Sequence, residues 1–170
     1  MVTYKEADIE DIEDFWEFLN NLDGETSYMM YEPEERKQHT NIQELREDIQ
    51  RNVIDGNDFL QIAVEDGKMI GYIWAECGEF RRIAHTAYIV TGVLKEYTNK
   101  GIGTAFFRKL MNWAEKNGIV RLELTVECDN SAAIHLYEKS GFQIEGIRRK
   151  SMFVGGNFVD EYYMARIIAV

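Results

Sequence analysis

Apolar positions along the chain change period several times, and each change marks an element. Ile9, Ile12, Phe15, Trp16 and Leu19 recur at three and four residues, which predicts one face of an amphipathic helix. Residues 27–39 break that rhythm and contain the only proline, Pro33, so they read as a loop. Ile42, Leu45 and Ile49 mark a second helix that ends near Gly56. FLQIAVED and MIGYIWAEC are β-rich runs joined by Gly67-Lys68, a hairpin signature, and HTAYIVTGVL over 85–94 is a third strand.

A long helix comes next. Ile102, Phe106, Leu110 and Trp113 form its apolar stripe, Arg108, Lys109, Asn112 and Lys116 its wet side, and Gly118 its stop. In IVRLELTVE, Val120, Leu122, Leu124 and Val126 alternate with Arg121, Glu123, Thr125 and Glu127, the period of a strand. Asn130 or Ser131 caps a short helix ending at Gly141. Two strands close the chain, FQIEGIRRKSMFV and FVDEYYMARII, turning at Gly155-Gly156-Asn157. The order predicts one mixed α/β (α+β) domain over residues 1–170, with about four helices around a central sheet.

Bulk properties exclude several classes. At 170 residues and 45% hydrophobic, the chain can bury one core but not two comfortable ones. No apolar run approaches the roughly 20 residues of a membrane span. The N-terminal stretch lacks the basic-then-apolar pattern of a signal peptide, which leads us to expect a cytoplasmic protein with Cys77 and Cys128 reduced. Neither cysteine fits a metal-ligand spacing, and no metal is expected. Residues 1–58 hold 17 acids and 5 bases, whereas the rest holds 13 acids and 14 bases. So acidic a first third argues against nucleic acid and leaves room for a cationic partner, or is simply a solvated face.

The sharpest feature is VLKEYTNKGIGTAFF, residues 93–107. A strand stops, a polar loop follows, and Gly101-Ile102-Gly103 opens the long helix. The first amides of a helix lack partners within it and carry partial positive charge, and glycine lets a bulky anion approach. Together they make a phosphate cradle, with Lys100 at its mouth. A tight strand-to-helix turn is the other reading of the same residues. Neither a dinucleotide fingerprint nor a P-loop fits, because position 106 is phenylalanine and no Gly-Lys-Ser/Thr occurs here.

Thr98-Asn99-Lys100-Gly101-Ile102-Gly103 resembles the acetyl-CoA motif of GNAT acetyltransferases: Arg or Gln, two residues, Gly, one residue, then Gly or Ala. Thr98 departs at the first position. About 30 residues on, Asn130, Ala133, Leu136, Tyr137, Gly141 and Phe142 match the family's second signature, in the family's order. The similarity covers roughly residues 59–165. It implies a twisted, mostly antiparallel sheet splayed at a cofactor cleft, where Val93 and Leu94 bond the pantetheine arm through their backbones. It also implies that Lys100 to Thr104 cradle the pyrophosphate and that Asn130 touches the cofactor arm. Tyr137 would protonate the leaving thiolate, a task a phenol with pKa about 10 can perform at neutral pH.

The activity so implied is N-acetyl transfer from acetyl-CoA to a primary amine of a small molecule or protein, by direct attack in a ternary complex. A non-catalytic acyl-CoA sensor or an acidic adaptor are the other classes. The base is unassigned: Ala87 and Thr125 stand where relatives place glutamates, leaving Glu127, Glu76, His85 or a water chain. Cys128 suggests an acyl-cysteine route, but the family does not work that way. Glu25, Glu32, Glu34 and Glu35 either draw in a cationic acceptor or are plain surface. The aromatic crowding of Phe153, Phe158, Tyr162 and Tyr163 is compatible with a homodimer.

Overall fold

The computed structural model describes residues 1–169 and contains seven strands in the order β1-β2-β3-β4-β5-β7-β6. Along the chain these are β1 (Thr3–Glu6), α1 (Ile12–Glu25), α2 (Arg36–His39), α3 (Ile42–Asp48), β2 (Phe59–Glu65), β3 (Lys68–Cys77) and β4 (Thr86–Val93). There follow α4 (Ile102–Lys116), β5 (Arg121–Glu127), α5 (Ser131–Lys139), β6 (Gln143–Val154) and β7 (Asn157–Ile167). The chain divides into two compact units, residues 1–76 with 90–102, and residues 77–89 with 103–170.

In the first unit β1, β2 and β3 form an antiparallel meander, Thr3 opposite Val64 and Leu60 opposite Trp74. Against it Ile12, Phe15, Phe18, Leu19 and Leu22 of α1 join Ile49, Leu60, Ile62 and Tyr72 in one core. Phe15 and Phe18 both meet the Tyr72 ring edge-on, at 5.3 and 5.8 Å. The helical apolar period of α1 is therefore the period of its buried face. Before it, Asp8 accepts from the Ile9 amide and Asp11 from the Asp8 amide, a reciprocal cap. Asn41 caps α3 by accepting from the Gln43 and Glu44 amides, and α3 runs on into a π-helical turn over Ile49–Ile54.

Two expectations need correction here. The N-terminal residues contain a strand, β1, that periodicity did not reveal, because this short edge strand buries almost nothing. The segment read as a loop holds a helical turn at its end, α2, and the described residues contain five α-helices, close to the expected number. That turn is tied down by charge. Asp23, only 1% exposed, accepts from Arg36 Nε at 2.6 Å and Arg36 Nη2 at 3.0 Å, and the same guanidinium lies 4.7 Å over the Tyr31 ring.

In the second unit the start of β4 runs parallel to β5, but only Thr86, Ala87 and Tyr88 pair with it, opposite Arg121, Leu122 and Glu123. On the other side β5 pairs with β7 along its whole length, from Arg121 opposite Ile167 to Glu127 opposite Glu161. β6 and β7 form the closing hairpin, with register breaks at Ile144/Gly146 and Arg148/Met152. On α4 the buried residues are Ile102, Phe106, Phe107, Leu110 and Ala114, a wider stripe than expected because Phe107 also points inward.

Arg36→Ala leaves a buried carboxylate without its cation. We expect it to lower the free energy of unfolding by about 3 kcal/mol, read from urea denaturation. A loss under about 0.5 kcal/mol, the scale of an exposed pair, would show that the tie is idle.

Candidate active site

The glycine loop begins where a short 3-10 turn, Lys95–Tyr97, ends. Its position is fixed from two sides within the first unit. The Leu94 amide donates to the Ile70 carbonyl at 3.0 Å, and the Lys95 amide donates to Glu25 Oε2 at 2.8 Å. Thr98 turns its hydroxyl back onto the Lys95 carbonyl at 2.8 Å. Asn99 then adopts φ +61° and Gly101 φ +81°, two left-handed residues that swing the chain into α4. A side chain at Gly101 would meet no atom within 4 Å, so only its backbone angle demands glycine there. Lys100 is exposed, its ammonium 4.7 Å over the Tyr97 ring.

Gly103 is different. A Cβ built on it would lie 2.6 Å from Leu136 Cδ2, so its missing side chain gives Leu136 room to pack against α4. One turn further along α4, Phe107 meets the ring of Tyr137, the neighbour of Leu136, edge-on at 5.5 Å. Phe142 stands 6.2 Å from the same ring. The last glycine of one motif thus packs directly on the leucine beside the phenol of the other. That contact was invisible in the sequence, where both glycines read as cradle residues.

Tyr137 is buried, and burial pushes its hydroxyl up to about 12, with the nearby Tyr88 adding to the rise. Tyr88 itself shares a 2.7 Å hydrogen bond with Thr125 Oγ1. Asn130 is the N-cap of α5, its Oδ1 accepting from the Ala133 amide at 3.3 Å, which leaves its NH₂ group for other work. Both backbone groups of Leu94 have partners: its amide as above, its carbonyl by accepting from the Tyr97 amide at 2.9 Å. Val93 is half-buried at the end of β4, and Thr104 is exposed in the first turn of α4.

The proton-accepting candidates separate clearly. His85 is exposed, and its carbonyl is taken by the Val120 and Arg121 amides. Glu76 sits at the end of β3, where lost hydration and then Asp58 and Asp48 raise its carboxyl. Glu127 is only 5% exposed, and one of its oxygens, Oε1, is buried without a hydrogen-bond partner. Burial first, then Asp129 and Glu161, push its carboxyl up. Cys128 is also pushed up, chiefly by burial, which disfavours the thiolate that an acyl-cysteine needs. Of the acids in the early loop, Glu25 binds the Lys95 amide, Glu35 the Glu32 amide and Glu34 the Lys37 ammonium. These three serve local structure.

Residues 16–142 match the family model described as Acetyltransferase (GNAT) family. The chain belongs to this family. It is 36% identical to an L-amino acid N-acetyltransferase of Escherichia coli (strain K12) over 110 residues, 62% of this chain and 66% of that one. It is 38% identical over 102 residues to an N-alpha-acetyltransferase of Mycobacterium tuberculosis, covering 59% of this chain and 60% of that protein. The chain thus matches less than two thirds of the length of these curated relatives. Among solved structures, an acetyltransferase of the GNAT family from Streptococcus pneumoniae shares the fold with TM-score 0.92 at 28% identity, over 99% of this chain and 100% of that one.

Gly103→Ala forces a methyl group against Leu136. We expect it to destabilise the protein by about 1–3 kcal/mol through overpacking, and Leu136→Ala introduced alongside it to restore part of the loss. An unchanged melting temperature in the single variant would show that the two helices have room to spare.

Proposed function

We propose that this chain is an acetyl-CoA-dependent N-acetyltransferase that transfers an acetyl group to a primary amine by direct attack within a ternary complex. The observation that carries the reading is Tyr137. Its ring is clamped by Phe107 and Phe142, and its hydroxyl is held protonated far above neutral pH. A phenol so placed supplies a proton to a leaving thiolate and is not itself ionised at working pH. That property also weighs against a purely sensing role.

The chain's own groups divide the work. The amides of Lys100 to Thr104 receive the pyrophosphate of acetyl-CoA, aided by the positive end of α4, the Lys100 ammonium and the open side of Gly101. Asn99 shapes the loop through its left-handed backbone, Ile102 anchors it by burial, and Thr98 holds its entry. Backbone contact with the pantetheine arm falls to Val93 and to the second lone pair of the Leu94 carbonyl. The Asn130 NH₂ group is the polar contact further along. Acetyl-CoA supplies an activated thioester. Everything else is positioning and proton transfer.

The acceptor is an amine of a small molecule or a protein, in keeping with relatives named for an L-amino acid and for an N-alpha group. The acidic first third suits a cation and repels nucleic acid. The match over residues 16–142 draws on both compact units and supports treating residues 1–170 as one catalytic domain. Exposed Phe153 and Phe158 on the closing hairpin favour pairing with a second copy. We place the protein in the cytoplasm, where Cys77 and Cys128 stay thiols; among the described residues no helix is long and apolar enough to cross a membrane.

Tyr137→Phe keeps the ring and removes the acid. The expected result is a fall in kcat of about 10²-fold or more, with CoA affinity by calorimetry changed less than about twofold. Unchanged kcat would remove the phenol from the chemistry. The pH profile provides a second check. A raised phenol pKa keeps the acid form below about 12, so kcat/KM for the amine should climb as the amine loses its proton. No falling limb should appear below about pH 10. A decline setting in near pH 8 would assign the acid to another group.

A further inference from the structure

We propose that Glu127 is the proton acceptor for the attacking amine, on the face of β5 that also carries Thr125. The inference rests on the acetyltransferase reading and adds to it the group that reading lacks.

Three observations within the second unit carry it. First, Leu122, Leu124 and Val126 fill the core side of β5, so Thr125 and Glu127 project from the opposite side. Thr125 bonds the Tyr88 hydroxyl, and Tyr88 in turn is close enough to raise the pKa of Tyr137. Two residues along a strand span about 7 Å, so Glu127 lies one side chain further on from Thr125 along the same face. Second, the face is exposed beside Thr125, where Tyr88 is 36% and Tyr163 49% exposed, and closes over towards Glu127 and its cross-strand partner Glu161, 5% and 7% exposed.

Third, among the described residues Glu127 carries the one carboxylate oxygen that is buried without a hydrogen-bond donor. Its cross-strand partner Glu161 accepts from Arg148 at 3.1 Å, and Arg148 also covers the Tyr163 ring at 5.3 Å. Asp160 accepts from the Lys150 amide at 2.7 Å. Glu127 Oε1, buried and unpartnered, keeps Asp129 and Glu161 as its charged neighbours. A buried acceptor surrounded by negative charge is costly for the fold unless a donor arrives, and an ammonium group brings both the donor and the opposite charge. Raised by burial, its carboxyl is also closer in basicity to the working pH than an ordinary glutamate.

The step balances. Glu127 takes one proton from the ammonium, leaving a neutral amine whose lone pair forms the new C–N bond. The C–S bond breaks, the thiolate takes the Tyr137 proton, and the tyrosinate recovers the proton lost by the amide nitrogen. Glu127 then releases its proton to water.

The test is Glu127→Gln in the full chain, assayed by thiol release with the best amine found for the wild type. We expect kcat to fall at least tenfold at pH 7, with CoA binding by calorimetry within twofold. The deficit should narrow as pH approaches the amine's own pKa, about 10 for an alkylamine, because solution then deprotonates the acceptor. Stability gives an independent sign. A carboxyl whose pKa is raised in the fold loses stabilisation as pH rises through that pKa, so glutamine should hold or raise the melting temperature at pH 8. Turnover within twofold of wild type, or a deficit constant across pH, overturns the proposal. So does a melting temperature that falls together with CoA binding, which marks a structural residue. A wild type that binds CoA yet acetylates no amine overturns the acetyltransferase reading itself, a separate failure.

Discussion

At Gly103 and Leu136, α4 and α5 come so close that a Cβ would lie 2.6 Å from Leu136 Cδ2 and force that side chain to move. The placement of the phenol follows from this one approach. Leu136 and Tyr137 are adjacent, and Gly103 and Phe107 are one helical turn apart, so fixing the first pair brings the second pair ring to ring. The helix proposed to offer its N-terminal amides to a diphosphate is therefore the helix against which the Tyr137 ring packs. A side chain at position 103 would loosen both jobs at once. This is why we read the glycine there as a packing residue and Gly101, with its left-handed backbone and open side, as the residue that shapes the cradle.

Burial acts on two titratable groups of the second unit with opposite uses. It raises the pKa of the Tyr137 phenol, as the proposed acid requires, and that of the Glu127 carboxyl, as the proposed base requires. Both shifts arise first from lost hydration, so neither needs a special charge partner. Tyr88 and Thr125, joined by a 2.7 Å hydrogen bond, lie on the neighbouring strands β4 and β5. The arrangement gives the proposed proton donor and proton acceptor separate environments, on one helix and one strand, rigid elements on which such geometry holds best.

Much of this was legible in the residues themselves. The α4 stripe, the β5 alternation, the Asn130 cap and the two glycine-ended turns follow from periods of 3.6 and 2 and from backbone angles that glycine tolerates. The strand β1 was not legible, because an edge strand with one half-buried side chain leaves no pattern. Nor was α2, whose single turn is held by the Asp23–Arg36 pair, a contact 13 residues long that no local rule encodes. At the site, the two motifs announced Tyr137 and the loop. They were silent on the packing role of Gly103 and on the engaged backbone of Leu94. Glu127 was one acid among three candidates until the fold gave the others exposure or partners and left its own Oε1 with none.

The most direct test of the whole account is a titration of coenzyme A into uniformly ¹⁵N-labelled protein, followed amide by amide in solution. The account predicts saturable shifts that are largest at Asn99 to Thr104, with a smaller response around Tyr137. Saturable binding that leaves those loop amides unmoved, or an absence of binding at millimolar coenzyme A, would contradict it.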